Sequence, residues 1–473
     1  MIHRSVIPQN TARRSTSFRE RSPSWQEPFR EHRATSPVSA PTTQVTSVAL
    51  IVILAVVLDW FSTLLNWLGA ELTLSGEKGL FQMNYEEPTL ARAMRLLALL
   101  LFVGAGLLSA LQPRRARLPR LAAFLLYPML ACCTLWTLIG YEPSDYIEHL
   151  LSTWHPLVFV MCLGIFAGLD RSLWKLAHPL SLGLAYGSMA LGCYYTARYS
   201  TMGQFSGVNP MVEYLQLTFW LSLGAVALNS STRSWLYLAP LLPLASCIPM
   251  AMMIGSRSFA LLCAAGLAAG LFYALQRFIR SSRRSLIVVL VCTSLVGAGF
   301  IWALAVAAPE NLDALQHHLF EDTRSSQYRD FFEQVSLLRL VPGLGPNASY
   351  IYGDRGNYGH IDNQFIFIAF KLGLPVLLGY GALVLWPGLT LLFTARNQSQ
   401  RRIGVLFAFW TLATLGLSIF HAVAPNPENF LIILLAGRAI DLKQTQRELD
   451  AGLVESPSTM GTRALRPTGL QVT

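Results

Sequence analysis

The sequence predicts an all-α, polytopic integral membrane protein with about twelve transmembrane helices and one large loop outside the cytoplasm at residues 309–362. Three observations predict it. Hydrophobic residues make up 53% of the chain and charged residues 13%, whereas a soluble domain carries about a quarter charged residues. The mean hydropathy is +0.43. Runs of roughly 20 apolar residues, the length that crosses the hydrocarbon core of a bilayer, recur from Val45 to about Ile440 with short polar stretches between them.

Taken in order, residues 1–44 are rich in Ser, Thr, Pro and Arg and show no apolar periodicity. They read as a disordered basic tail in the cytoplasm, without the apolar centre of a secretory signal. A transmembrane domain follows over 45–441. Its helices fall near 46–69, 91–112, 121–140, 151–169, 176–196 and 211–229, then near 234–254, 258–276, 286–308, 363–388, 403–422 and 428–441. Residues 442–473 return to the cytoplasm as a second tail, predicted to be disordered. No internal repeat is visible, which weighs against a transporter built from duplicated halves.

Charge sets the orientation. The net charge is +10 and the pI near 9.4, but the basic residues are not gathered on a face interleaved with aromatics, so nucleic acid is not the expected partner. They sit in short loops instead: Arg114, Arg115, Arg117 and Arg120; Arg171 and Lys175; Arg277, Arg280, Arg283 and Arg284; Arg396, Arg401 and Arg402. Alternating helices put all four groups on one side, the cytoplasmic one, because Lys and Arg near helix ends resist translocation. The acidic stretches, with Glu71, Glu77, Glu86 and Glu87 and with Glu142, Asp145 and Glu148, fall opposite, as does loop 309–362. All seven cysteines lie in apolar runs and read as small buried hydrophobes rather than metal ligands or disulfides.

Chemistry is expected on the outer side. Arg257, in the turn Gly255-Ser256-Arg257-Ser258, defies the orientation rule. Its planar fork of donors suits a phosphate, or else it simply anchors the helix at the headgroups. Loop 309–362 is too long for a connector. Within it Phe331, Phe332, Val335 and Leu338 recur at helical spacing, as in an amphipathic helix at the membrane surface. Arg329 lies on that helix and Arg324 just before it, as ligand-binding groups or as partners of Glu321, Asp330 or Glu333. Val341-Pro342-Gly343-Leu344-Gly345 then makes a turn in which Gly343 and Gly345 permit close backbone approach. His360 and Asp362 stand just before the next helix, and a histidine there suits proton transfer. Asp59, inside the first apolar run, must face protein or a cavity. His155, His421 and the pair His317-His318 read as structural, the pair lacking metal-site geometry.

These residues in this order, from Ser256-Arg257 through Arg329, Pro342-Gly343-Leu344-Gly345, His360 and Asp362-Asn363-Gln364-Phe365 to Gly373-Leu374-Pro375, resemble the O-antigen ligase and polysaccharide polymerase superfamily of bacterial inner membranes. The resemblance covers about residues 240–385. It implies a glycosyltransferase that needs no metal or cofactor, works at the periplasmic face, and draws on a glycan carried by undecaprenyl pyrophosphate. Arg257 and Arg329 would hold the pyrophosphate, with Arg324 the competing alignment for Arg329. His360 would be the base, or Asp362 in its place, because ligases commonly have His followed directly by Asn and this chain has His360-Ile361-Asp362-Asn363. The Asp-Asn form looks more like a polymerase joining repeat units than a ligase transferring finished glycan to lipid A core. Membrane lipids, a chain-length regulator and a flippase are the implied partners. A secondary transporter and a scaffold subunit of an envelope complex are the readings from other classes.

Overall fold

The computed structural model describes residues 46–68, 71–75, 80–84, 88–111, 120–140, 163–199, 210–229, 234–253, 257–281, 323–345, 347–353, 356–359, 361, 363–416 and 427–450, a few helix positions by backbone alone. Both predicted tails up to 44 and beyond 450, the predicted helix near 286–308 and most of the one near 151–169 lie outside them, as do His155, His317, His318 and His421. Helices account for 87% of the described residues, which makes the class all-α.

The first helices are α1 (Ser47–Leu68), α2 (Thr89–Ala110), α3 (Arg120–Gly140), α4 (Leu173–Tyr199), α5 (Pro210–Leu228), α6 (Leu241–Met253) and α7 (Arg257–Ser281). Next come α8 (Thr323–Gln334) and α9 (Gln364–Leu372), then α10 over Leu374–Thr394, α11 (Gln398–Gly416) and α12 (Pro427–Asp450). Five windows are long and apolar enough to cross a membrane: Ser47–Asn66, Thr89–Ala110, Met211–Leu228, Phe259–Gln276 and Leu374–Thr394. The outward faces of such helices carry exposed Leu50, Leu54, Leu97, Leu100, Leu107, Leu108, Leu261 and Phe272. Large apolar side chains turned outward along whole helices suit lipid as their solvent.

Helix α5 is the axis. Of its apolar window 83% is buried, as expected of a helix that is hydrophobic all round. Trp220 meets Trp410 of α11 with ring centroids 4.7 Å apart, and Phe219 meets Phe259 of α7 at 5.4 Å. Tyr214 stacks on Tyr195 of α4 at 5.6 Å. Gly168 and Gly437 let the backbone before α4 and that of α12 touch, the small-residue contact typical of membrane helices.

The two ends of the bundle differ chemically. At one end Thr46 bonds Asp170 and Ser172, Arg171 pairs with Asp441 at 2.9 Å, and Arg438 pairs with Asp441 at 2.6 Å. Arg396 pairs with Asp450 at 2.5 Å. Arg402 is buried, donates to the Asn229 carbonyl, and lies 5.4 Å from the Tyr237 ring. Gln398 bonds Gln276 at the foot of α7 at 3.0 Å. Arg171, Arg396 and Arg402, which alternation assigns to one side, thus share one end of the bundle.

Several expectations are corrected. The predicted helix 363–388 is two helices. Gly373 takes φ +94°, ends α9, and leaves the apolar span to begin at Leu374; α10 then contains a π-helical stretch at Gly381–Leu385. The predicted helix 234–254 opens with a 3-10 turn at Ser234–Tyr237 before α6. Helix α12 runs on through Asp450, past the expected tail boundary at 442, because Lys443 bonds Thr390 at 2.8 Å and Arg396 holds Asp450. The acidic stretch between α1 and α2 is a hairpin: β1 (Glu71–Ser75) pairs antiparallel with β2 (Leu80–Asn84), Glu71 opposite Asn84. Glu71-Leu72-Thr73-Leu74-Ser75 has the alternation of a strand. Cys193 is exposed on the side of α4 rather than buried.

Candidate functional site

Opposite the basic end sits a small module made of α8, α9 and the chain between them. Helix α8 begins four residues earlier than the apolar spacing alone indicates, at Thr323, and its buried side is formed by Gln327, Phe331 and, just beyond it, Val335. Phe331 is fully buried between Tyr350 and Phe370, with ring centroids at 5.2 and 5.1 Å. The side chain of Gln334 acts as a piece of strand. It donates to the Ile351 carbonyl and accepts from the Ile351 N–H, each at 2.8 Å. That fixes a short hairpin in which β3 (Tyr350–Ile351) pairs with β4 (Asn357–Tyr358).

The glycine turn locks this module onto α9. The N–H groups of Leu344 and Gly345 donate to the carbonyls of Phe370 and Lys371 at 2.8 and 3.1 Å. Leu374 N–H donates back to Val341 at 3.0 Å. Gly343 has φ +82°, and a Cβ on it would lie 2.6 Å from the Gly373 nitrogen; one on Gly373 would lie 2.6 Å from the Pro342 carbonyl oxygen. Gly345, with φ +93°, faces the ring of Trp136 on α3, whose Nε1 donates to the Pro342 carbonyl at 2.8 Å. Both glycines singled out in the sequence are therefore clasp residues that join the module to the bundle.

The predicted ligand-binding arginines are separated by this geometry. Positions 324 and 329 of α8 lie about 140° apart around the axis at roughly 100° per residue. Position 324 falls on the stripe of Gln327 and Phe331, whereas position 329 is on the far side. The Arg329 side chain is 70% exposed, and its Nε is 3.8 Å from Asp330; at that exposure the pair contributes little stability. Arg257 is the first residue of α7, and Gln276 of the same helix meets Gln398 at the basic end. About 19 residues at 1.5 Å each place the Arg257 backbone at the module end, with its side chain outside the described residues.

His360 and Asp362 also lie outside the described residues, though their neighbours do not. Ile361, between them, is buried. Asn363 caps α9: its Oδ1 accepts from the N–H groups of Phe365 and Ile366 at 3.0 and 3.2 Å, and its amide donates to the Leu415 carbonyl at 3.1 Å.

The sequence reading missed Lys371. It is 6% exposed, its ammonium donates to the Ala348 carbonyl at 2.5 Å, and it stands 5.1 Å from the centroid of Phe370. It also lies beside Gly359, the residue before His360. On α9, outside the span Leu374–Thr394, burial pushes the ammonium down to about 8. The available signal was a lysine inside the apolar string Phe367-Ile368-Ala369-Phe370-Lys371-Leu372.

Among the described residues no three His, Cys, Asp or Glu side chains converge as a metal site. No protein-family model matches the sequence, and a search of curated proteins finds no match. What the described module offers is an exposed guanidinium, Arg329, on α8 and a buried ammonium, Lys371, on α9, with the chain entering α9 held by the Asn363 cap.

Proposed function

We propose that the protein is a polysaccharide polymerase of the bacterial inner membrane, joining glycan repeat units carried on undecaprenyl pyrophosphate at the periplasmic face. In this reading about twelve helices span the membrane, the basic end with both chain termini is cytoplasmic, and the α8–α9 module is periplasmic. The observation that carries it is the ordered α8–α9 module, at the bundle end away from the basic cluster, with Arg329 turned out of its core. Exposed Leu337, Leu338 and Val341 on the same module suit burial among lipid headgroups.

The chemistry is a substitution at a sugar carbon. The acceptor hydroxyl forms the new C–O bond, the bond from the anomeric carbon to the pyrophosphate breaks, and undecaprenyl pyrophosphate leaves with the electron pair. Arg257 and Arg329, or Arg324 in the competing alignment, hold the developing phosphate charge where water is scarce. His360 or Asp362 takes the proton of the hydroxyl. The same residues serve a ligase that delivers finished glycan to lipid A core.

The test uses purified protein and lipid-linked repeat units with chelator present. Lengthening of the glycan with release of undecaprenyl pyrophosphate is expected, and R257A, R329A and H360A are each expected to abolish it. Unchanged elongation by all three variants, or loss of elongation on chelation, overturns the reading. A second reading, a secondary transporter of envelope precursors, is favoured by one observation: ionisable side chains packed inside the bundle around Asp59. Uptake of labelled precursor by proteoliposomes, without elongation, would select it.

A further inference from the structure

The chemistry above leaves one group of ionisable side chains unused. On α1, Asp59, Ser62, Thr63 and Asn66 recur at the spacing of a single helix face. All four are buried, at 0, 0, 3 and 7% exposure. Ser62 donates to the Ala91 carbonyl of α2 at 2.8 Å, and Thr63 donates to the Asp59 carbonyl at 3.2 Å. Among the described residues neither carboxyl oxygen of Asp59 has a hydrogen-bond partner, and nor does Oδ1 of Asn66.

Helix α1 packs against α2, α4 and α12. Among the described residues, the charged side chains that act on Asp59 are Arg95 of α2, Glu428 of α12 and Glu213 of α5. From α4, Ser188 accepts from Trp60, the residue after Asp59, at 2.9 Å, and Gly187 lies under the same indole. A carboxylate so buried, with no donor on either oxygen among the described residues, is more stable once neutralised than as an isolated charge. A proton needs only one carboxyl oxygen, and Asp59 presents two buried oxygens without a donor among the described residues.

We propose that Asp59 is a proton-binding site in exchange with the module end of the bundle through the buried face Asp59–Thr63–Asn66. The route is short. Asp59 to Asn66 is seven residues, about 10 Å at 1.5 Å each, and Thr46, at the other end of α1, belongs to the basic end. The site stands under either reading of function, because it uses none of Arg257, Arg329, His360 or Asp362.

Infrared spectroscopy of the full-length protein in lipid nanodiscs tests it. At neutral pH a carbonyl band of a protonated carboxyl is expected, lost in Asp59→Asn and shifted when water is exchanged for D2O. Asparagine has nearly the shape of the protonated acid, so Asp59→Asn is expected to keep the wild-type melting transition. Four results overturn the proposal: no such band at neutral pH; a band that survives in Asp59→Asn; a band that never shifts in D2O; or a band removed by sodium at fixed pH. Loss of the fold in Asp59→Asn also overturns it, since that would show an ionised Asp59 held by Arg95.

Discussion

Lys371 shows how much one side chain can report. Its ammonium lies under the module, and burial lowers it from the usual 10.5 to about 8. Between those values the unfolded chain holds a proton that the folded chain has lost, so this residue makes stability rise with pH across that window. Below about pH 8 both states are charged and the full cost of burying the ammonium applies. Thermal melts of Lys371→Met against wild type are expected to show a gap that changes between pH 8 and 10.5 and is constant below. At Phe331, truncation removes a side chain with no exposed surface and two ring contacts across the module. Phe331→Ala is expected to cost about 3–5 kcal/mol of module stability, read as faster amide exchange in α8 and in Tyr350–Ile351.

At the scale of elements, the clasp between Gly343 and Gly373 decides how α8 and α9 meet. Each glycine has positive φ, and a methyl group on either would collide with backbone across the clasp: that of Gly373 for Gly343, and that of Pro342 for Gly373. Gly343→Ala is therefore both strained and blocked, and it is expected to destabilise the module by more than the roughly 1 kcal/mol typical of a single replacement. Protease sensitivity between α8 and α9 should rise, with α1 to α7 unaffected. The Asn363 cap makes a milder test. Asn363→Ala removes two acceptor contacts at the start of α9 and the bond to Leu415, a change worth about 1 kcal/mol.

For the whole molecule the testable property is sidedness. Ser349 is exposed on the module, and Glu448 is exposed near the end of α12 at the basic end. With the seven native cysteines replaced, a membrane-impermeant maleimide is expected to label Ser349→Cys in intact spheroplasts, and Glu448→Cys only after lysis. The reverse pattern would invert the orientation that the basic loops imply. Both positions labelling from one side would contradict the two-ended bundle itself.

Much of the architecture was legible in the linear chain, because a bilayer imposes rules that sequence obeys locally. Backbone groups in lipid must bond within their own helix, so apolar length alone locates α1, α2, α5 and α7 to within a few residues. Loop charge groups Arg171, Arg396 and Arg402 at one end. The amphipathic helix around Phe331 and the glycine turn at 343–345 were visible for the same reason, since spacing and Gly-Pro content act over a few residues. Tertiary structure alone decided the break at Gly373, which depends on the Val341–Gly345 chain docking beside it. It alone separated position 329 from position 324, by burying Gln327 and Phe331. It also revealed Lys371 and the polar face of α1, with Arg95, Glu213 and Glu428 around Asp59. These are long-range facts. A lone Asp in an apolar run is expensive wherever it sits, but which charges surround it is set by helices far apart in the chain.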